Sequence, residues 1–229
     1  MEVSEIFGPT LQGEGPSIGT SAIFVRTRRC NLQCTWCDTR YTWDKEDRRF
    51  AWDYHTYEPV DVAKRVKELA NPGTELVVFT GGEPLLWQGE IAQTIDLLSE
   101  YGIEIETNGT IIPYSLERFN SRIQYNICPK TSNSDMDKQV NDEAIHYFAK
   151  HPNARFKFVV TLDNYKHDLE EIQKMCYEMD IYPVTIMPEG VTLESQIKGI
   201  KLLSEPVAHL GLRLIPRMHI IAWENEGGR

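Results

Sequence analysis

The sequence has 229 residues, with 34 Asp and Glu against 24 Lys and Arg, a formal net charge of −10 and 41% hydrophobic residues. That length supports one sizeable core but not two ordinary enzyme domains with a linker, and the acidic balance argues against nucleic-acid phosphates as a partner. No run reaches the roughly 18 apolar residues that a membrane span needs. Residues 1–5 lack the basic start and apolar stretch of a secretion signal. Five cysteines, three of them clustered, do not form a disulfide framework, so the expected compartment is the cytoplasm, where thiolates persist.

Along the chain, residues 6–16 (IFGPTLQGEGP) are punctuated by Gly and Pro and read as a loop. The glycines around Gln12 and Glu14 would let backbone approach a ligand closely. Residues 21–27 (SAIFVRT) read as a first strand, and a basic triplet, Arg26, Arg28 and Arg29, leads into the cysteines. Residues 41–57 form an aromatic, charged insertion without a clean period, either a lid or a decorated loop. Helices are expected over 59–70, 88–101, 113–119, 141–150 (with Asn141 as N-cap), 165–179 and 192–204. Strands are expected over 75–80, 103–107, 123–127, 155–161 and 182–187, with a possible last one at 212–215. This alternation predicts a single α/β domain with a parallel sheet and crossover helices. Periodicity does not separate an open doubly wound sheet from an incompletely closed barrel. A Rossmann glycine fingerprint is absent after the first strand.

The chemistry concentrates in Cys30, Cys34 and Cys37. Three thiols in eight residues suit a soft metal or an iron–sulfur cluster. Structural zinc wants four protein ligands and would have to recruit His55 or Cys128. A cubane held by three cysteines leaves one iron open to a non-protein ligand. Thr80-Gly81-Gly82-Glu83-Pro84, taken alone, is a tight strand-to-helix turn. It also bares strand-end carbonyls beside the Glu83 carboxylate, acceptors for a ligand ammonium. The segments Glu104-Ile105-Glu106-Thr107-Asn108-Gly109, Cys128-Pro129-Lys130 and Met187-Pro188-Glu189-Gly190 each end a predicted strand, where barrel enzymes place their chemistry. Cys176 reads as a core thiol.

The Cys-x3-Cys-x2-Cys spacing with TGGEP resembles the radical S-adenosylmethionine (SAM) enzymes. LQGEG, Arg26, CDT at the third Cys, TGGEP, ETNG and the later PK together resemble the 7-carboxy-7-deazaguanine synthase family. The resemblance implies a partial TIM-like barrel of about six parallel strands with crossover helices. It also implies a [4Fe-4S] cluster on Cys30, Cys34 and Cys37, with Mg2+ at Thr39. SAM would contact Trp36, Asp38, Gly82, Glu83, Glu106, Asn108, Cys128, Pro129, Lys130 and Met187. Substrate would contact Leu11, Gln12, Gly13, Glu14, Arg26, Thr80 and His219.

The implied reaction is a ring contraction. A 5′-deoxyadenosyl radical from SAM removes hydrogen at C6 of 6-carboxy-5,6,7,8-tetrahydropterin, the hydrogen is returned, and loss of ammonia gives 7-carboxy-7-deazaguanine. The resemblance further implies a reductant such as flavodoxin or ferredoxin, and a homodimer. Two features depart from the family pattern. Cys128 stands where Ser is usual, and the tail over 216–229 replaces a short proline-terminated end, leaving the C-terminal substrate contact unassigned. A glycyl-radical-type activase and a non-catalytic zinc-binding protein are the alternatives.

Overall fold

β-Branched and aromatic residues along the longer strands commit this chain to one extended sheet, and the helices between them cover its outer face. The computed structural model describes residues 1–51, 54–224 and 226–228. The elements are β1 (Glu2–Leu11), β2 (Ser21–Thr27), β3 (His55–Thr56), α1 (Pro59–Leu69), β4 (Leu76–Gly81), α2 (Gln88–Asp96), β5 (Gly102–Thr107), β6 (Ile123–Ile127), α3 (Asp142–Ala149), β7 (Ala154–Val160), α4 (Tyr165–Met179), β8 (Val184–Pro188), α5 (Leu193–His209), β9 (Arg213–Leu214) and α6 (Met218–Trp223). Short 3-10 turns link several of them.

The strand order is β3-β1-β2-β4-β5-β6-β7-β8-β9. From β2 to β9 every pairing is parallel, while β1 and β3 add antiparallel at one end. The six expected parallel strands are present, and the short β9 extends them. The sheet does not close, since β3 and β9 are its two edges. It curls nevertheless. Glu14, just beyond β1, bonds Lys157 of β7, although a flat sheet would hold strands five positions apart at about 24 Å.

Alternation along the strands explains the two faces. Ile23, Val25, Val77, Phe79, Ile103 and Ile105 point outward into one core with Val62 and Val66 of α1, Ile91 and Ile95 of α2, Phe148 of α3 and Ile172 of α4. The inner face begins with a small apolar patch, Ala22, Phe24, Leu76 and Val78. Above it come Glu104, Glu106, Asn126 and Lys157, which bond to one another or to Gln12.

Four expectations are corrected. Residues 6–11 are not loop but the second half of β1, whose ladder with β2 shifts register between Phe7 and Thr10. That irregularity lets a strand carry Gly8-Pro9, as proline tolerates strands at bulges. Helix α2 stops at Asp96, because Leu97 and Leu98 bond back three residues and turn Leu98 into the core. Helix α5 continues past 204 to His209 through Pro206. Proline in the last turn forfeits one bond, while buried Leu203 and Val207 keep the helix docked. The tail, read without structure, forms α6. The insertion 41–57 carries 3-10 turns at Arg40–Thr42 and Arg48–Ala51 and then β3; Trp52 and Asp53 of that insertion, and Asn225 and Arg229 of the tail, lie outside the described residues.

Candidate active site

Loops at the carboxyl ends of the parallel strands meet over the inner face and enclose a cavity of about 610 Å³. Leu11, Gln12, Gly13, Glu14, Arg26, Cys30, Cys34, Trp36, Cys37, Asp38, Thr39, Thr80, Gly82, Glu106, Asn108, Cys128, Lys130, Met187 and His219 all line it. Of the residues expected at the site, Glu83 and Pro129 do not. The basic triplet separates. Arg26 and Arg28 both line the cavity, Arg28 stacked on the Phe50 and Tyr54 rings, whereas Arg29 pairs with Glu2 at the surface.

The cysteine loop leaves β2 and is held from below by glycine. A Cβ on Gly82 would stand 2.0 Å from Arg29 O, and one on Gly81 would stand 2.1 Å from Thr27 O. The glycine pair therefore lets two backbones pack in contact. Glu83 is fully buried, and its carboxylate accepts from Leu85 N–H (2.9 Å), the Thr107 hydroxyl (2.8 Å) and Asn108 N–H (2.8 Å). These bonds clamp the ends of β4 and β5 together. Burial pushes the Glu83 pKa up, with these bonds opposing.

Cys30 Sγ accepts from Leu32 N–H at 3.4 Å, and Cys37 N–H reaches Cys34 O at 3.3 Å. All five cysteines are free. Burial pushes the Cys30 thiol up to about 12, and the charges of Glu83, Cys34 and Cys37 add to it. Burial also raises Cys34, with Lys130 opposing. Trp36 is fixed by a relay: its indole N–H donates to Asn133 Oδ1 (3.1 Å), and Asn133 Nδ2 donates to Asp168 Oδ2 (2.8 Å). Lys130 Nζ stands 3.2 Å from Cys128 Sγ and 5.0 Å from the Trp36 ring centroid. His55 sits in edge strand β3 and does not line the cavity, so the zinc alternative loses that ligand.

The opposite wall is ionic. Glu14 Oε2 meets Lys157 Nζ at 2.6 Å, and Glu14 Oε1 meets Arg217 Nε at 2.8 Å. Lys157 also pairs with Glu106, and Arg217 with Asp38. Burial works against the Glu14 charge, but Lys157 and Arg217 outweigh it and hold its carboxyl well below the usual range. Burial likewise opposes the Asp38 charge, and Arg217 overcomes it. His219, 3.9 Å from Glu14, is kept neutral by burial, with Glu14 opposing. Gly13 is needed beside it, because a Cβ there would stand 2.2 Å from His219 Nδ1. Arg26 Nε bonds Glu5 Oε1 at 2.6 Å, and the Tyr41 hydroxyl donates to the same oxygen at 2.8 Å.

Residues 24–145 match the radical SAM superfamily, which is more than half of the chain. The chain is also similar to the 7-carboxy-7-deazaguanine synthase of Pyrobaculum aerophilum, 33% identical over 237 residues that cover 100% of this chain and 97% of that one. The chain belongs to the 7-carboxy-7-deazaguanine synthase family. The synthase of Hyperthermus butylicus is 29% identical, over 96% of this chain and 92% of that one. Among solved structures, QueE from Escherichia coli matches with TM-score 0.69 and 25% identity, covering 95% and 94% of the two chains. Streptococcus suis SuiB bound to precursor peptide SuiA, at 16% identity and TM-score 0.60, covers 84% of this chain and 47% of that one; it speaks to the fold alone.

Within this 7-carboxy-7-deazaguanine synthase family chain, two cations of the ionic wall escaped the sequence reading. Lys157 sits between Phe156 and Phe158 in the strand RFKFVV, and a charge between two apolar residues was the available signal. Arg217, two residues before His219, occupies the tail whose substrate contact was unassigned. Its partners lie 203 and 179 residues away, and no local pattern announces them.

Proposed function

We propose that this chain contracts 6-carboxy-5,6,7,8-tetrahydropterin to 7-carboxy-7-deazaguanine with release of ammonia, as one domain spanning residues 1–229. The observation that supports this most is a single cavity with three free thiols on one wall and a buried ionic network on the other.

The donor set fits a cluster. Cys30, Cys34 and Cys37 are soft ligands, free of disulfides, and burial deprives Cys30 and Cys34 of solvent stabilisation that a cationic metal would replace. Among the described residues no three His, Cys, Asp or Glu side chains close on one point as a single metal ion requires. A polynuclear cluster asks each thiolate for a different iron. When bound, the cluster and SAM supply the carbon-centred radical that removes one hydrogen from the pterin. Lys130, raised in pKa by the thiols despite burial, stays cationic and suits the SAM carboxylate. Trp36, held by Asn133, and buried Met187 give that side an apolar surface that keeps water out.

Substrate recognition falls to the other wall. Glu14, held ionised, accepts hydrogen bonds from the N–H groups of the pterin edge, with Gln12 beside it. Arg26 offers a planar fork to the substrate carboxylate. The Thr39 hydroxyl has one long contact, 3.7 Å to Cys37 Sγ, and so remains available to Mg2+, which takes most of its ligands from substrate and water. The neutral His219 contributes a hydrogen bond without adding charge. A flavodoxin- or ferredoxin-type donor, a homodimer and a cytoplasmic, reducing compartment complete the reading.

Anaerobic incubation of the reconstituted protein with the tetrahydropterin, SAM, Mg2+ and dithionite tests it. Mass spectrometry should find 7-carboxy-7-deazaguanine. SAM cleavage without that product would assign a different radical SAM substrate.

A further inference from the structure

The insertion over 41–57 has no part in the reaction as described, yet it returns to the thiol wall. Thr39 O accepts from the Thr42 N–H (2.9 Å) and the Thr42 hydroxyl (2.8 Å), and Trp43 N–H reaches Arg40 O at 3.0 Å. Arg29 N–H donates to Thr42 O at 2.9 Å, pinning this 3-10 turn to the end of β2. The turn brings Trp43 back over the third cysteine. Its indole Nε1–H stands 3.4 Å from Cys37 Sγ. That group can only donate, and its acceptor is the sulfur. The Thr39 hydroxyl is the other polar neighbour of Cys37 Sγ, at 3.7 Å, and Asn108 Nδ2 lies 4.0 Å from Cys30 Sγ. Arg40 Cζ stands 5.6 Å from the centroid of the Trp43 ring and pairs with Asp44 at 3.0 Å. Farther along, Arg28 donates to Phe50 O at 2.6 Å and stacks on Phe50 and Tyr54, tying the insertion to the cysteine loop.

We propose that Trp43 raises the reduction potential of the cluster by hydrogen bonding to the Cys37 thiolate. The proposal rests on the cluster reading above and adds a function for the insertion. Reduction places one more electron on the cluster, and part of that charge falls on the ligating sulfurs. A donor N–H therefore stabilises the reduced form more than the oxidised one. Hydrogen bonds to the sulfurs are among the levers that set iron–sulfur potentials. Trp36 has no such role, because its indole N–H is committed to Asn133.

Trp43→Phe removes the donor while keeping most of the apolar cover. In cluster-loaded protein, an electron paramagnetic resonance (EPR)-monitored redox titration should show the variant with the parent's iron content and a lower potential. The expected change is about tenfold in the reduction equilibrium, or 59 mV for one electron. An intact cluster at unchanged potential overturns the proposal. Pulsed EPR on the reduced, unsubstituted protein, with indole-15N tryptophan, gives a test that does not depend on the variant's folding. Coupling to an indole nitrogen supports the bond, and its absence overturns it. A parent protein with no reduced-cluster signal fails the cluster reading and the proposal with it, an outcome distinct from an intact cluster at unchanged potential.

Discussion

Lys157 Nζ lies 2.6 Å from Glu14 Oε2, joining β7 to the segment beyond β1 across 143 residues of chain. The lysine side chain is 7% exposed and also faces Glu106, so a single cation is shared by two carboxylates inside the curl of the sheet. Electrostatics and fold are the same fact here. The contact holds the sheet's curvature and keeps Glu14 ionised where the cavity needs an acceptor.

Replacing Lys157 with Met should therefore destabilise the protein by about 3–5 kcal/mol, the usual consequence of stranding buried charge. Anaerobic urea unfolding followed by circular dichroism reads the loss. Adding Glu106→Gln to the same chain should recover part of it, because one of the two stranded carboxylates is then neutral.

Arg217→Gln should lower kcat/KM for the pterin by about ten- to a hundredfold, the range for lost hydrogen bonds to charged groups. Arg217 orients Glu14 and Asp38 together, whereas no contact links it to the cysteines. Iron content should stay at the parent's level.

Stability should depend on pH through groups of opposite sign. Burial first, and then the Glu106 charge, push the Glu104 carboxyl from 4.5 up to about 8. A carboxyl raised by folding stabilises most below its unfolded value and loses that contribution as pH rises through the folded one. Glu14 and Asp38, held low by Arg217 and, for Glu14, by Lys157 as well, contribute above their ordinary values and lose it in acid. Glu104→Gln can still accept from Gln12 and bond the Ser17 hydroxyl. It should flatten the decline between about pH 4.5 and 8, a slope of at most about 1.4 kcal/mol per pH unit. Urea unfolding at pH 5.5, 7 and 8.5 measures it.

Two glycine substitutions should separate the two walls. Gly82→Ala drives a Cβ into the Arg29 backbone at 2.0 Å, and should reduce iron retained after reconstitution. Gly13→Ala meets the His219 ring at 2.2 Å, and should weaken pterin binding at least tenfold with iron unchanged. Iron assays and equilibrium binding on both variants check the contrast.

What could be read from the sequence follows physical range. The parallel strands, α4 and the Asn141 cap of α3 are set by residues a few positions apart, and the structure has them where period and capping predict. The spacing of Cys30, Cys34 and Cys37 is equally local. β1 was hidden because Gly8-Pro9 signals a turn unless a neighbouring strand absorbs the irregularity. The clamp that Glu83 forms with Leu85, Thr107 and Asn108 joins two strand ends that only folding brings together. Arg217 and Lys157 both depend on Glu14, more than 140 residues distant from each, and only the folded chain brings them together.

The most direct test counts product against SAM. With the cluster-loaded protein in reductant, excess tetrahydropterin and substoichiometric SAM, a ring contraction that regenerates SAM should yield several equivalents of 7-carboxy-7-deazaguanine per SAM supplied. Reductive cleavage of all the SAM with no deazaguanine formed would contradict the account.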